Sequence, residues 1–165
     1  MILLVACRKD DGLPPPAPSP NEWRDFYGVE YRAPPGTNAL NKNGVLPGPG
    51  GRGGVPADER PNVVLTKPQA FNVEIVKTTK PVSMEGMMYT LGQNKIGSNL
   101  NGKATTVGWD LTYETVRGDS TPSKTHIIYA ALSGGFYQCT YDESTSPDPK
   151  AAEAICRSIR PKTPK

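Results

Sequence analysis

The sequence predicts an α+β fold: an antiparallel sheet of about five to six strands with two helices packed on it. Three observations lead there. Val107, Trp109, Leu111 and Tyr113 alternate with Gly108, Asp110, Thr112 and Glu114, the period of a half-buried strand. Met84 to Gln93 and Asp148 to Ile159 each place apolar residues on one helical face behind a capping residue. Glycine-rich turns join neighbouring strands, which favours antiparallel pairing and a sheet with helices segregated onto it. At 165 residues, one domain is the natural expectation.

In chain order, Asn21 to Arg32 (NEWRDFYGVEYR) carries Trp23, Phe26, Tyr27 and Tyr31 as anchors and reads as a first strand. Ala33 to Pro61 reads as one long loop, with Pro-Pro-Gly, Asn-Gly and the run Pro-Gly-Pro-Gly-Gly-Arg-Gly-Gly. That run lacks the Walker spacing and a following helix, so it does not read as a phosphate cradle. Phe71, Val73 and Ile75 alternate with Asn72 and Glu74 as a second strand. Ser83 caps a helix over Met84 to Gln93, whose Met84, Met87, Met88 and Leu91 share a face that reads as core. Asn94 to Lys103, with Asn101-Gly102, reads as a turn region. The alternating strand from Val107 follows, then Arg117-Gly118-Asp119 in a turn. Lys124 to Leu132, apolar on both faces, is a central strand, and Gly134-Gly135 returns the chain into Phe136 to Asp142. The terminal helix aligns Ala151, Ala152, Ile155, Cys156 and Ile159, and Pro161 ends it.

Composition restricts function more than it assigns it. The net charge of +3 hides an asymmetry, because Arg157, Arg160, Lys162 and Lys165 place +4 in the last nine residues, which read as a solvated tail. The rest is net −1, so the electrostatic footprint of a nucleic-acid binder is missing. No apolar run reaches the roughly 18 residues of a membrane span. One histidine, His126, and no C-x-x-C argue against a zinc site, and no cofactor is expected. No G-x-S-x-G elbow accompanies His126, which reads as structural. Asp110, Glu114, Asp142 and Glu143 are the carboxylates available for acid–base work, and they read as solvated acids.

Three cysteines remain: Cys7, Cys139 and Cys156. Cys139 lies in a strand and Cys156 on the sheet-facing side of the terminal helix, 17 positions later, so a disulfide between them is one reading. Two reduced, buried thiols are the other. Leu4-Val5-Ala6-Cys7 resembles the bacterial lipobox, in which a small residue precedes a cysteine that takes a diacylglycerol. That resemblance implies a lipid-anchored protein of the cell envelope, facing the periplasm, with residues 8 to 20 as a proline-rich tether. The apolar stretch Ile2 to Ala6 is shorter than the roughly 7–15 residues of an export signal, so either the true start lies upstream or the match is accidental. The competing reading is a short apolar strand with a buried thiol in a cytosolic binding module.

Tyr27 to Gly36 (YGVEYRAPPG), then Phe71 to Ile75 (FNVEI), then the meander and terminal helix resemble PsbP-like domains over roughly residues 26 to 160. That resemblance implies a mostly non-catalytic domain of the kind found in exported lipoproteins and secretion accessories. Two function classes follow. The first is a non-enzymatic envelope lipoprotein that binds a protein, in one version an immunity-type inhibitor of a secreted toxin. Tyr137, Tyr141, Asp110, Glu114 and Arg52 are the candidate partner contacts. The second is a small-ligand carrier with a pocket between Met84–Leu91 and the sheet, or an unrecognised hydrolase.

Overall fold

The computed structural model describes residues 21–43, 61–115 and 122–162. Its class is the expected one: two helices packed on an antiparallel seven-strand sheet, with a small three-strand sheet beside it. Cys7, Arg52, the tether at 8–20 and the Arg117-Gly118-Asp119 triplet lie outside the described residues.

The first expected strand is a hairpin. β1 (Glu22–Phe26) pairs with β2 (Val29–Ala33) through Tyr27 and Gly28, both at positive φ (41° and 99°). Positive φ at both central residues gives the turn the twist a two-residue hairpin needs, and Gly28 adopts it without steric penalty. The segment expected to be a loop holds β3 (Asn38–Asn43), which pairs with β4 (Pro61–Lys67). β4 buries Val63 and Leu65, and pairing with it organises the polar β3 sequence NALNKN into an edge strand. β5 (Phe71–Thr78) then follows β4 antiparallel.

α1 (Met84–Gln93) falls where its cap predicts, with the Ser83 hydroxyl accepting the Gly86 N–H at 3.1 Å. Ser83→Ala is expected to lower stability by about 1 kcal/mol, measured by urea denaturation; an unchanged midpoint would mean that water satisfies Gly86 equally well. The expected turn at 94–103 is instead the edge strand β6 (Ser98–Ala104), with an irregularity between Ser98 and Asn101 where Asn99 adopts φ 52°. Such a bulge at a sheet edge discourages pairing with another chain. β7 (Gly108–Thr115), β8 (Ser123–Leu132) and β9 (Gly135–Asp142) form the expected meander. The large sheet runs in the order β3-β4-β5-β9-β8-β7-β6.

α2 (Pro149–Arg157) starts at Asp148, whose carboxylate accepts the Ala151 N–H, with Pro149 in the first turn. It ends before the expected Ile159, because Arg160–Pro161 forms β10 and pairs with β2. The basic segment is therefore paired in place through residue 162 rather than frayed, with its side chains still about half exposed. Arg157 meets Asp110 and Glu153, Arg160 meets Glu30, and Lys162 meets Asp25. The Arg160 guanidinium also sits 3.6 Å from the centre of the Trp23 ring.

Two apolar clusters lie on opposite faces of the large sheet. One joins α2 (Ala152, Ile155, Cys156) to Val63, Leu65, Val73, Ile75, Tyr137, Cys139 and Tyr141, with Phe26, Val29, Tyr31 and Ala33 of the small sheet. The other joins Leu91 of α1 to Trp109, Leu111, Tyr113, Ile127 and Tyr129, with Met84, Met87 and Met88 packed against it. The aromatic residues Trp109, Tyr113, Phe136, Tyr137 and Tyr141 divide between the two clusters because β9 alternates sides. The disulfide reading is the one the structure contains: Cys139 and Cys156 are bonded, with Cα atoms 5.5 Å apart.

Candidate functional site

α1 packs on β6 and β7, and α2 packs on β5 and β9 on the other face, so part of each face is left open and the open parts lie diagonally opposite. On the α1 side, the register sets Val64, Glu74 and Thr140 in one row and Tyr113, Thr125 and Asp142 in the next. These six residues floor a groove of about 650 Å³, and Lys95 and Ile96, just beyond α1, form part of its wall. On the α2 side a smaller groove, about 260 Å³, lies over Asp110, Thr112 and His126 beside Glu153 and Arg157.

The polar floor of the larger groove is held by its own hydrogen bonds. Asp142 accepts from the Ser123 hydroxyl at 2.5 Å, from Thr125 at 2.8 Å, and from the Ser144 N–H at 2.8 Å. Ser144 also donates its hydroxyl to the same carboxylate. Burial would raise the Asp142 pKa, but the Ser123, Ser144 and Thr125 donors outweigh it and lower it to about 2. A carboxyl held low in the folded state contributes stability that is present above its unfolded pKa of about 3.9. That contribution is lost as pH falls through about 2. Wild type is thus expected to lose stability over Asp142→Asn between pH 4 and 2, as read by paired urea titrations. A constant difference across that window would remove Asp142 from the acid response. Glu74, beside it on the floor, accepts at 2.9 Å from the Asn62 side-chain amide.

The predicted partner contacts are placed apart. Tyr137 is fully buried, and its hydroxyl is directed at the carbonyl oxygens of Tyr27 and Gly134, 2.9 and 2.8 Å away. Burial raises its pKa. It is a core residue joining the hairpin to the sheet, which corrects its reading as a surface contact. Tyr141 is also buried and stacks on His126 with ring centres 4.5 Å apart. Its pKa is pushed up to about 12, first by burial and then by the nearby Glu153. Asp110 and Glu114 share a sheet face, as expected from their spacing, but both are engaged: Asp110 with Arg157 at 2.8 Å and Glu114 with the Asn99 amide at 2.7 Å. His126 and Glu143 meet at 2.8 Å, so each acid once read as merely solvated has a protein partner.

The pocket expected between Met84–Leu91 and the sheet is instead filled by the methionines packed against Trp109, Leu111 and Tyr129. Gly102 shows how close that contact is, since a Cβ there would lie 2.6 Å from the Met84 sulfur. The groove residues Glu74, Thr125, Thr140 and Lys95 were not singled out by sequence. Their signal is the polar alternation Gln138, Thr140, Asp142 along β9, which matches that of any solvent-facing strand side. Among the described residues no group of three or more His, Cys, Asp or Glu is arranged to hold a metal ion, and no helix is long and apolar enough to cross a membrane. Comparison with known families, curated proteins and solved structures finds no match.

Proposed function

We propose that the chain is a non-enzymatic binding module of the bacterial envelope, lipid-anchored through Cys7 and docking a protein partner on the open part of its α1-side sheet face. The observation that carries this reading is the larger groove. Its floor is set on strands, and its Asp142 carboxylate is fixed by four donors, giving a preorganised polar surface of the kind recognition uses. The Cys139–Cys156 disulfide supports an oxidising compartment, though weakly. The Leu4-Val5-Ala6-Cys7 motif and the resemblance to exported PsbP-like domains point the same way. In its most specific form, the partner is a secreted toxin and the chain is its immunity-type inhibitor.

Affinity purification from the native envelope tests this with wild type beside Thr140→Lys, which puts a long cation on the groove floor. A partner recovered with wild type and lost with Thr140→Lys is the expected result. A partner held equally by both would move the interface elsewhere. For the anchor, wild type expressed from the full upstream reading frame should enter the detergent phase, and Cys7→Ser should leave it. If both stay in the aqueous phase and the upstream frame encodes no apolar segment, the envelope assignment falls.

A further inference from the structure

We infer that the larger groove takes an arginine side chain from its partner, with Glu74 as the receiving carboxylate and Asn62 as the residue that positions it; this rests on the protein-docking reading above. Asn62 is 2% exposed, which is unusual for an amide on a sheet. Its Nδ2 donates to Glu74 Oε1 at 2.9 Å, while its Oδ1 has no hydrogen-bond partner. Turning the amide over would set its oxygen against the Glu74 carboxylate, so the orientation is fixed by charge. A buried acceptor without a donor destabilises a fold, and an apolar residue on β4 would avoid that loss. What the amide does in return is hold one oxygen of Glu74 on the groove floor.

The charge of the site gives the ligand its sign. Glu74 and Asp142 both line the groove, and Asp142 stays ionised through the physiological range because its pKa is about 2. Lys95 is the basic residue among the lining, so the lining is net −1. Thr115, Thr125, Thr140 and Thr145 add hydroxyl oxygens around the two carboxylates. A planar cation with five donors matches a cluster of fixed oxygen acceptors better than a point charge does. Partner arginine therefore fits both the excess of acceptors and the orientation in which Asn62 holds Glu74.

The probe is N-acetyl-arginine amide, titrated into the isotope-labelled, disulfide-bonded full chain and followed by backbone amide shifts. Saturable shifts are expected around Asn62–Val64, Asn72–Glu74 and Thr140–Asp142. Glu74→Gln should weaken binding about tenfold, whereas Glu85→Gln, the same charge change on the exposed side of α1, should not. Asn62→Leu should weaken arginine binding with Glu74 still present, and its dichroism spectrum checks that it folds. N-acetyl-lysine amide should bind several-fold more weakly. Equal affinity of the two probes would overturn the guanidinium assignment. An absence of saturable groove shifts, or equal binding by Glu74→Gln and Glu85→Gln, would overturn the site. If the site fails while Thr140→Lys still abolishes partner recovery, the docking surface stands and only its arginine chemistry is lost.

Discussion

Replacing Trp109 by alanine is expected to lower stability by about 3–5 kcal/mol and to loosen α1 from the sheet. Trp109 is almost fully buried, stacks on Tyr129 at 4.9 Å between ring centres, and donates its indole N–H to the Val82 carbonyl at 2.9 Å. Val82 in turn donates its own N–H to the Tyr129 hydroxyl at 3.1 Å. The two stacked rings thus grip both backbone groups of one residue, two positions before α1 begins. Alanine leaves a cavity, an unpaired carbonyl and a ring without its neighbour. Urea denaturation measures the total, and hydrogen exchange across Met84–Gln93 reads the local release. A loss below about 1 kcal/mol, or unchanged protection in α1, would show that the helix is held by its methionines alone.

Removing the disulfide with paired Cys139→Ala and Cys156→Ala substitutions should lower stability by about 3 kcal/mol, given a sequence separation of 17. For a body of this size that corresponds to about 10 °C in melting temperature. The bond ties α2 to the middle strand of the large sheet, and both sulfurs sit in the α2-side core. Reduction of the wild-type protein should reproduce the loss. If reduced and oxidised protein melt together, the cross-link carries no stability, and the argument from it to an oxidising compartment goes too.

The elements that were legible in the sequence are those whose evidence is local. Ser83 and Asp148 mark helix starts because their side chains satisfy nearby N–H groups, and β7 alternates because one face meets the α1-side core and the other is half-buried along the smaller groove. β3, β4, β6 and β10 were not legible, and each depends on a neighbour. NALNKN has no strand pattern of its own and becomes a strand because β4 offers it a ladder. Arg160–Pro161 looks like a helix stop and is one, but it also pairs with Val29–Glu30, far earlier in the chain. The groove was illegible for a related reason. Polar residues facing solvent and polar residues flooring a recess share one alternation, and only the placement of α1 over part of the sheet separates them.

The three-strand sheet also bears on how the protein is made. A chain growing from its N-terminus completes β1 and β2 first, yet β2 waits for its partner in β10, and the Arg160–Glu30 contact spans 130 residues. At about 5–20 residues per second, synthesis of that stretch takes on the order of ten seconds, whereas a hairpin closes in microseconds. A two-stranded hairpin is marginal alone. During that interval Phe26, Val29, Tyr31 and Ala33 have no α2 to cover them. Among the described residues, the earliest piece of the nascent protein is therefore an apolar one that stays uncovered until α2 and the Arg160–Pro161 strand arrive.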